Sequence, residues 1–229
     1  MTEAVKGNNL NKRFDKLNKW FLSIVTAMVF MVPAAFAAEE QDDPYVMINS
    51  VASLTFERIK KEKDLIKENP ELLRTVMEEE LLPYIDYRFS AFKVLGKYAN
   101  KVPREKLLEF VSVFREYLIT SYAVALGYYD DQTVEFAPAL DFDGRSDVTV
   151  RAVIKDGDRP DIKVAFKVRK DRQSDQWQVY DMVAEGISLL TSKRTEFESI
   201  LRQDGIDKVI ELMRKSISEP IVLNEKLDK

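Results

Sequence analysis

The 229-residue chain has no cysteine and no histidine. Without thiols it has neither a disulfide framework nor a thiol nucleophile, and without imidazole it has no His-based acid–base catalysis and no His-ligated metal. Carboxylates are the only metal ligands left, and no stretch has the spacing of a calcium-binding loop. A basic surplus is missing as well. The whole chain carries −4, and because residues 1–37 hold five basic and two acidic groups, the remainder carries −7. Nucleic-acid binding leaves a basic footprint, so this balance argues against it. Long hydrophobic runs are scarce. The one clear run, Trp20 to Val32, has 13 residues, short of the ~20 that a membrane-spanning helix needs. No cysteine follows it, which removes a lipoprotein anchor. There is no low-complexity linker and no internal repeat.

What is present reads as globular: 45% apolar and 32% charged residues, in a length that suits one domain with a proper core. Lys6, Lys12, Arg13, Lys16 and Lys19 precede the apolar run, and Pro33 and Ala35-Phe36-Ala37 follow it. This is the pattern of a secretory signal peptide. We expect cleavage after Ala37, with a retained anchor as the alternative, and a single mature domain over residues 38–229. A domain of this size needs no disulfides to survive export.

Beyond a short acidic tail, apolar residues recur at helical spacing. A first helix is predicted from Pro44 to about Lys67. A second starts at Asn69-Pro70 and ends at Pro83. A third, shorter piece spans Tyr84 to Tyr98 and breaks near Gly96. The fourth opens at Pro103 and carries the strongest stripe, from Leu107 through Phe110, Phe114, Tyr117 and Tyr122. From Gln132 the period becomes two. Strands are predicted at Val134 to Leu140, Val148 to Ile154, Ile162 to Val168 and Trp177 to Val183, with turns at Asp143-Gly144, Asp156-Gly157 and Gln173-Ser174-Asp175. Two helices close the chain, Ser192 to Arg202 and Ile206 to Ser216. Helices followed by an antiparallel meander make an α+β fold with a four-stranded sheet packed against several helices. A curved sheet against a long helix forms a cone, and a cone can be filled or hollow.

Three groups of residues stand out as chemistry. Asp181 and Glu185 lie four apart at a strand end and could act as a general base in a hollow cone; their structural reading is an ion pair and a turn residue. Phe110, Phe114, Tyr117 and Tyr122 on the fourth helix face an apolar sheet set including Val150, Val164 and Phe166. These are core residues or the wall of a cavity, and the pattern alone supports both. Lys163, Lys167, Arg169 and Lys170 form a basic strand face, either a docking face for an acidic partner or solvated charge.

One stretch is more specific. Trp177 to Leu190, WQVYDMVAEGISLL, resembles the signature segment of the MlaC family of periplasmic phospholipid-binding proteins, also described as toluene-tolerance proteins. Asp43-Pro44-Tyr45, the run Asn69 to Thr75, Glu80 to Ile85, Phe114 to Leu118, Thr191-Ser192-Lys193 and Gly205-Ile206-Asp207 agree with it in order. The resemblance implies an NTF2-like cone around a hydrophobic cavity that holds the acyl chains of a phospholipid, with the headgroup outside. It implies a carrier between an outer-membrane lipoprotein–porin complex and an inner-membrane ABC lipid transporter, with no metal, no cofactor other than the lipid cargo, and no catalysis. On that reading the lipid-binding residues are Phe110, Phe114, Tyr117, Tyr122, Val150, Val164, Phe166, Ile187 and Leu190. Gly186 and the residues after it form a hinge and lip. The competing expectation is an exported enzyme of the same architecture, acting on a hydrophobic small molecule with Asp181 or Glu185 as base.

Overall fold

Helix α1 (Pro44–Lys61) starts where the sequence supplies both a cap and a preset φ. Asp43 accepts from the backbone N–H groups of Tyr45 (2.7 Å) and Val46 (3.2 Å), and Pro44 occupies the first turn. This computed structural model describes residues 43–129, 132–157 and 159–223; the expected signal peptide and its cleavage site lie outside them. The first predicted helix is split. After α1 the backbone turns at Glu62, and a short α2 (Lys63–Glu68) follows.

The second predicted helix is also interrupted. Helix α3 (Leu72–Val76) runs into a π-helical turn (Met77–Leu81) and a 3₁₀ turn (Leu82–Tyr84). Pro83 has no N–H to continue an α-helical ladder. The π turn inserts an extra residue into it, a feature that recurs at functional sites. Arg58 of α1 pairs with Glu79 and Glu80, and Arg115 pairs with Glu78, so the three acidic residues of the turn are tied to two other helices.

Helix α4 (Tyr87–Leu95) is capped by Asp86, which accepts from the Phe89 N–H at 2.9 Å, and ends at Gly96 with φ +51. A side chain there would be strained, and its Cβ would also meet the Arg194 guanidinium at 2.9 Å. A 3₁₀ turn (Gly96–Lys101) leads to the long α5 (Arg104–Leu126).

The sheet has five strands in sequence order, all antiparallel: β1 (Thr133–Phe136), β2 (Asp147–Asp156), β3 (Arg159–Lys170), β4 (Trp177–Ala184) and β5 (Ile187–Ser188). This corrects the expected four. The added strand is only two residues long, too short for alternation to register. Glu185 (φ +49) and Gly186 (φ +80) make a two-residue turn with both residues left-handed, which folds Ile187 back onto Ala184. β1 also stops at Phe136, short of the expected Leu140. Pro138 follows within two residues and lacks the N–H a ladder needs. Tyr180 has no partner across β3, since Lys167 pairs with Asp181 while Val168 pairs with Val179. That bulge switches the parity of β4. Trp177 and Val179 share a face with Val168, whereas Met182 and Ala184 share a face with Phe166 and Val164.

Helices α6 (Leu189–Gln203) and α7 (Gly205–Ser218) complete the fold, packing on α4, α5 and β4. After α7 the chain runs back as a strap. The Ile221 N–H donates to Glu71 at 2.8 Å, and Arg74 donates to the carbonyls of Ile217 and Glu219. The buried apolar residues divide into three clusters rather than one. The first is helical, joining α4, α5, α6 and α7. The second joins α1, α2, α3, the π turn, the last turns of α5 and Ile221 of the strap. The third places Met47, Ile48 and Val51 of α1 on Val148, Val150, Val168 and Trp177 of the sheet.

Candidate functional site

The nine candidate residues fall on different sides of this division. Phe110 and Phe114, 0% and 1% exposed, are stacked with ring centroids 5.8 Å apart inside the helical cluster, and Tyr117 and Leu190 pack against its edge. Val150, 0% exposed, belongs to the cluster between α1 and the sheet, with half-buried Phe166 packed against it. Tyr122 packs against the second cluster. Val164 is buried opposite Ala184 but belongs to none of the three. Ile187 stands at the hairpin tip, 62% exposed.

Two side chains that the sequence did not single out tie the clusters together. Leu81, at the end of the π turn, packs against both the second and the third. Ile85 packs against the second and bridges to Val179 of β4, which belongs to the third. The sequence signal for these positions is the run Leu81-Leu82-Pro83-Tyr84-Ile85, where a helical stripe meets a proline and changes conformation.

Tyr122 is the most informative position. It lies so deep that burial, followed by the nearby Asp181 carboxylate, pushes its hydroxyl pKa up to about 12. The residue is nonetheless partly exposed. An open cleft of about 280 Å3 lies between α1 and β1, lined by residues such as Ala52, Phe56, Tyr129, Val134 and Phe136. None of the nine candidates lines that cleft. Its volume is just under the ~300 Å3 at which small-molecule pockets begin.

The two acidic candidates are built into the backbone. Asp181, 5% exposed, accepts from the Ser188 hydroxyl (2.7 Å) and the Leu190 N–H (3.0 Å), so it holds the start of α6, and Lys167 lies 3.8 Å away. Glu185 accepts from the Lys163 N–H and fixes the β4–β5 hairpin against β3. The basic face of β3 is largely engaged too. Arg169 pairs with Asp86 and lies 4.2 Å from the centroid of Phe89, while Lys170 pairs with Asp175 at 2.9 Å. Among the described residues no three acidic side chains are grouped to hold a metal ion.

The comparisons with known proteins converge. A family model described as "MlaC protein" matches residues 49–215. The chain is 32% identical to the intermembrane phospholipid transport system binding protein MlaC of Haemophilus influenzae, over 92% of this chain and 98% of that one. It is 22% identical to the toluene tolerance protein ttg2D of Pseudomonas putida, over 85% and 88%. The fold is similar to that of a phospholipid-binding protein from Ralstonia solanacearum solved in complex with a phospholipid, with TM-score 0.68, 20% identity, and coverage of 77% of this chain and 97% of that one.

Proposed function

Because the chain belongs to the MlaC family, we propose that it is a periplasmic carrier. It holds the acyl chains of a phospholipid between its sheet and its helices. It moves that lipid between an outer-membrane lipoprotein–porin complex and an inner-membrane ABC transporter, as the soluble step in keeping the outer membrane asymmetric. The phospholipid is cargo, and the work needs no metal and no bond-making step.

The observation that carries this reading is the family match over residues 49–215 together with 32% identity to an intermembrane phospholipid transport system binding protein. Tyr117, Tyr122, Phe166 and Leu190 keep accessible surface and are the wall that a lipid meets first. Phe110, Phe114 and Val150 keep almost none and come into contact only when the surrounding layers part. Division of the buried residues into three clusters supports such parting, because a layer can move without breaking a cluster.

Burying acyl chains contributes ~0.8 kcal/mol per methylene, so two long chains gain roughly 20 kcal/mol, near the ceiling for non-covalent affinity. Release into water is then too slow for transport. A bilayer offers the chains a comparable environment, so exchange with a docked membrane partner is nearly balanced. No structural observation favours the enzyme alternative. Asp181 accepts with both oxygens, from a hydroxyl and a backbone N–H, and Glu185 accepts with one oxygen from a backbone N–H.

Native mass spectrometry of the purified chain tests the carrier reading. The expected spectrum contains a protein–phospholipid adduct in near one-to-one ratio. A lipid-free spectrum, with no adduct after incubation with phospholipid vesicles, overturns it.

A further inference from the structure

One surface of the protein carries charge of the opposite sign to the whole. Residues 87–104 hold Arg88, Lys93, Lys97, Lys101 and Arg104 and no acidic residue, in a chain where acidic residues outnumber basic ones 39 to 35. The stretch folds as α4, the 3₁₀ turn after it and the first residue of α5. Helix α4 buries Ser90, Ala91, Val94 and Leu95, which leaves Arg88, Phe92 and Lys93 on the face turned outward. Phe92 is 45% exposed there. The 3₁₀ turn buries no residue at all.

Rings and cations alternate along this face. Lys93 and Arg169 both engage the Phe89 ring, at 5.1 and 4.2 Å from its centroid, while Lys97 and Lys101 engage Tyr98 at 5.4 and 6.0 Å. At Gly96, between the two rings, the Arg194 guanidinium of α6 occupies the space a side chain would take. The cations therefore form one continuous surface rather than scattered charges. Some are matched internally, Arg169 by Asp86 and Lys97 by Glu198. Arg88, Lys93, Lys101 and Arg104 form no ion pair with any described residue.

Such a surface fits a layer of lipid headgroups better than it fits a protein. A lysine ammonium is a compact point charge with no bidentate geometry to satisfy, and its stem can lie along apolar surface while its head stays wet. Headgroup anions move laterally and gather under such charges wherever these sit. An exposed phenylalanine beside them has its place at the boundary between headgroups and acyl chains. The acidic remainder of the chain does not prevent approach, because at physiological salt charges more than about 8 Å from the surface are largely screened. We propose that the outward face of α4 and of the 3₁₀ turn after it seats the protein on a bilayer carrying anionic phospholipid headgroups. Seating is independent of cargo: carriage needs an interior site, whereas this contact needs only the cations and one exposed ring.

Vesicle flotation tests this with the purified chain, every variant sharing the same N-terminus. The probes are vesicles of phosphatidylcholine alone and of phosphatidylcholine with about 30% phosphatidylglycerol. Wild-type protein should partition onto the anionic vesicles about a hundredfold better at ~0.1 M salt and lose that preference at ~1 M, where the Debye length falls to ~3 Å. Each basic residue at an anionic surface contributes about fivefold to partitioning, so Lys93→Gln combined with Lys101→Gln should weaken it about 25-fold. Lys61→Gln removes an exposed charge from α1 instead and should change it less than about twofold. Phe92→Ser should weaken it several-fold. All four positions are exposed, so circular dichroism should show unchanged folds. Equal partitioning of the wild type onto both vesicles, or binding that the double variant retains in full, overturns the proposal. If neither vesicle is bound and immobilised polyglutamate retains the wild type alone, the face is a dock for acidic protein and the proposal falls. Phospholipid adducts in native mass spectrometry do not depend on any of these outcomes, so the carrier reading stands or falls apart from them.

Discussion

The two ends of α5 solve opposite problems. Toward its start, Phe110 and Phe114 stack against α6 and α7 with no surface left over, in a cluster of wholly helical origin. Toward its end, Tyr122 packs on the cluster that α1, α2 and α3 share with this helix and stays partly exposed. One helix is thus fully packed toward its start and partly exposed toward its end. The lesson is that an apolar stripe does not report its own role. The same residue types at the same spacing become core where helices meet helices. They stay partly exposed where the end of the helix meets α1, α2 and α3.

The comparison is broken most directly by changing one phenylalanine in each region. Phe110→Ala should cost about 3–5 kcal/mol of stability, read from the denaturant midpoint. Phe166→Ala should cost less than half as much, because half-buried Phe166 leaves a smaller new cavity. Equal costs would mean both regions are filled alike. A charge sharpens the contrast: Phe166→Glu should yield a folded protein, by circular dichroism, that retains no phospholipid in native mass spectrometry, since an unpaired carboxylate facing acyl chains is strongly unfavourable.

A smaller effect comes from titration. In the unfolded chain a tyrosine ionises near pH 10, while in the folded protein Tyr122 and Tyr180 hold their protons to about 12. Their contribution is fully present below pH 10. It falls between pH 10 and 12 because the unfolded state then binds fewer protons than the native state. Denaturant midpoints should decline across that window, and Tyr122→Phe should lessen the slope. The smallest effect on stability belongs to the hairpin tip. Ile187→Ser, at a position 62% exposed, should change stability by no more than ~0.5 kcal/mol. If the tip is the lip of the interior, the same variant should slow lipid transfer to acceptor vesicles.

Much of this was legible in the sequence, for identifiable reasons. The stripe from Leu107 to Tyr122 runs through one uninterrupted helix, and Asp43 with Pro44, or Gly96, carry local signals that tertiary packing did not overrule. The two-residue β5 was not legible because alternation needs more residues than it has. Neither was the break at Glu62, a residue with no intrinsic helix-ending signal. The sequence also could not separate Phe110 from Tyr122. That distinction depends on what packs on each of them, α6 and α7 in one case and α1, α2 and α3 in the other, and none of these is near in the chain.

The strap after α7 bears on when the fold can form. Ile221, 4% exposed, completes the cluster around Leu73 and Val76, and its N–H reaches Glu71 across 150 residues of chain. A polypeptide made from its N-terminus cannot finish that cluster until residue 221 has left the ribosome. Until then the cluster lacks a buried apolar residue, and Glu71 lacks the backbone donor that Ile221 supplies.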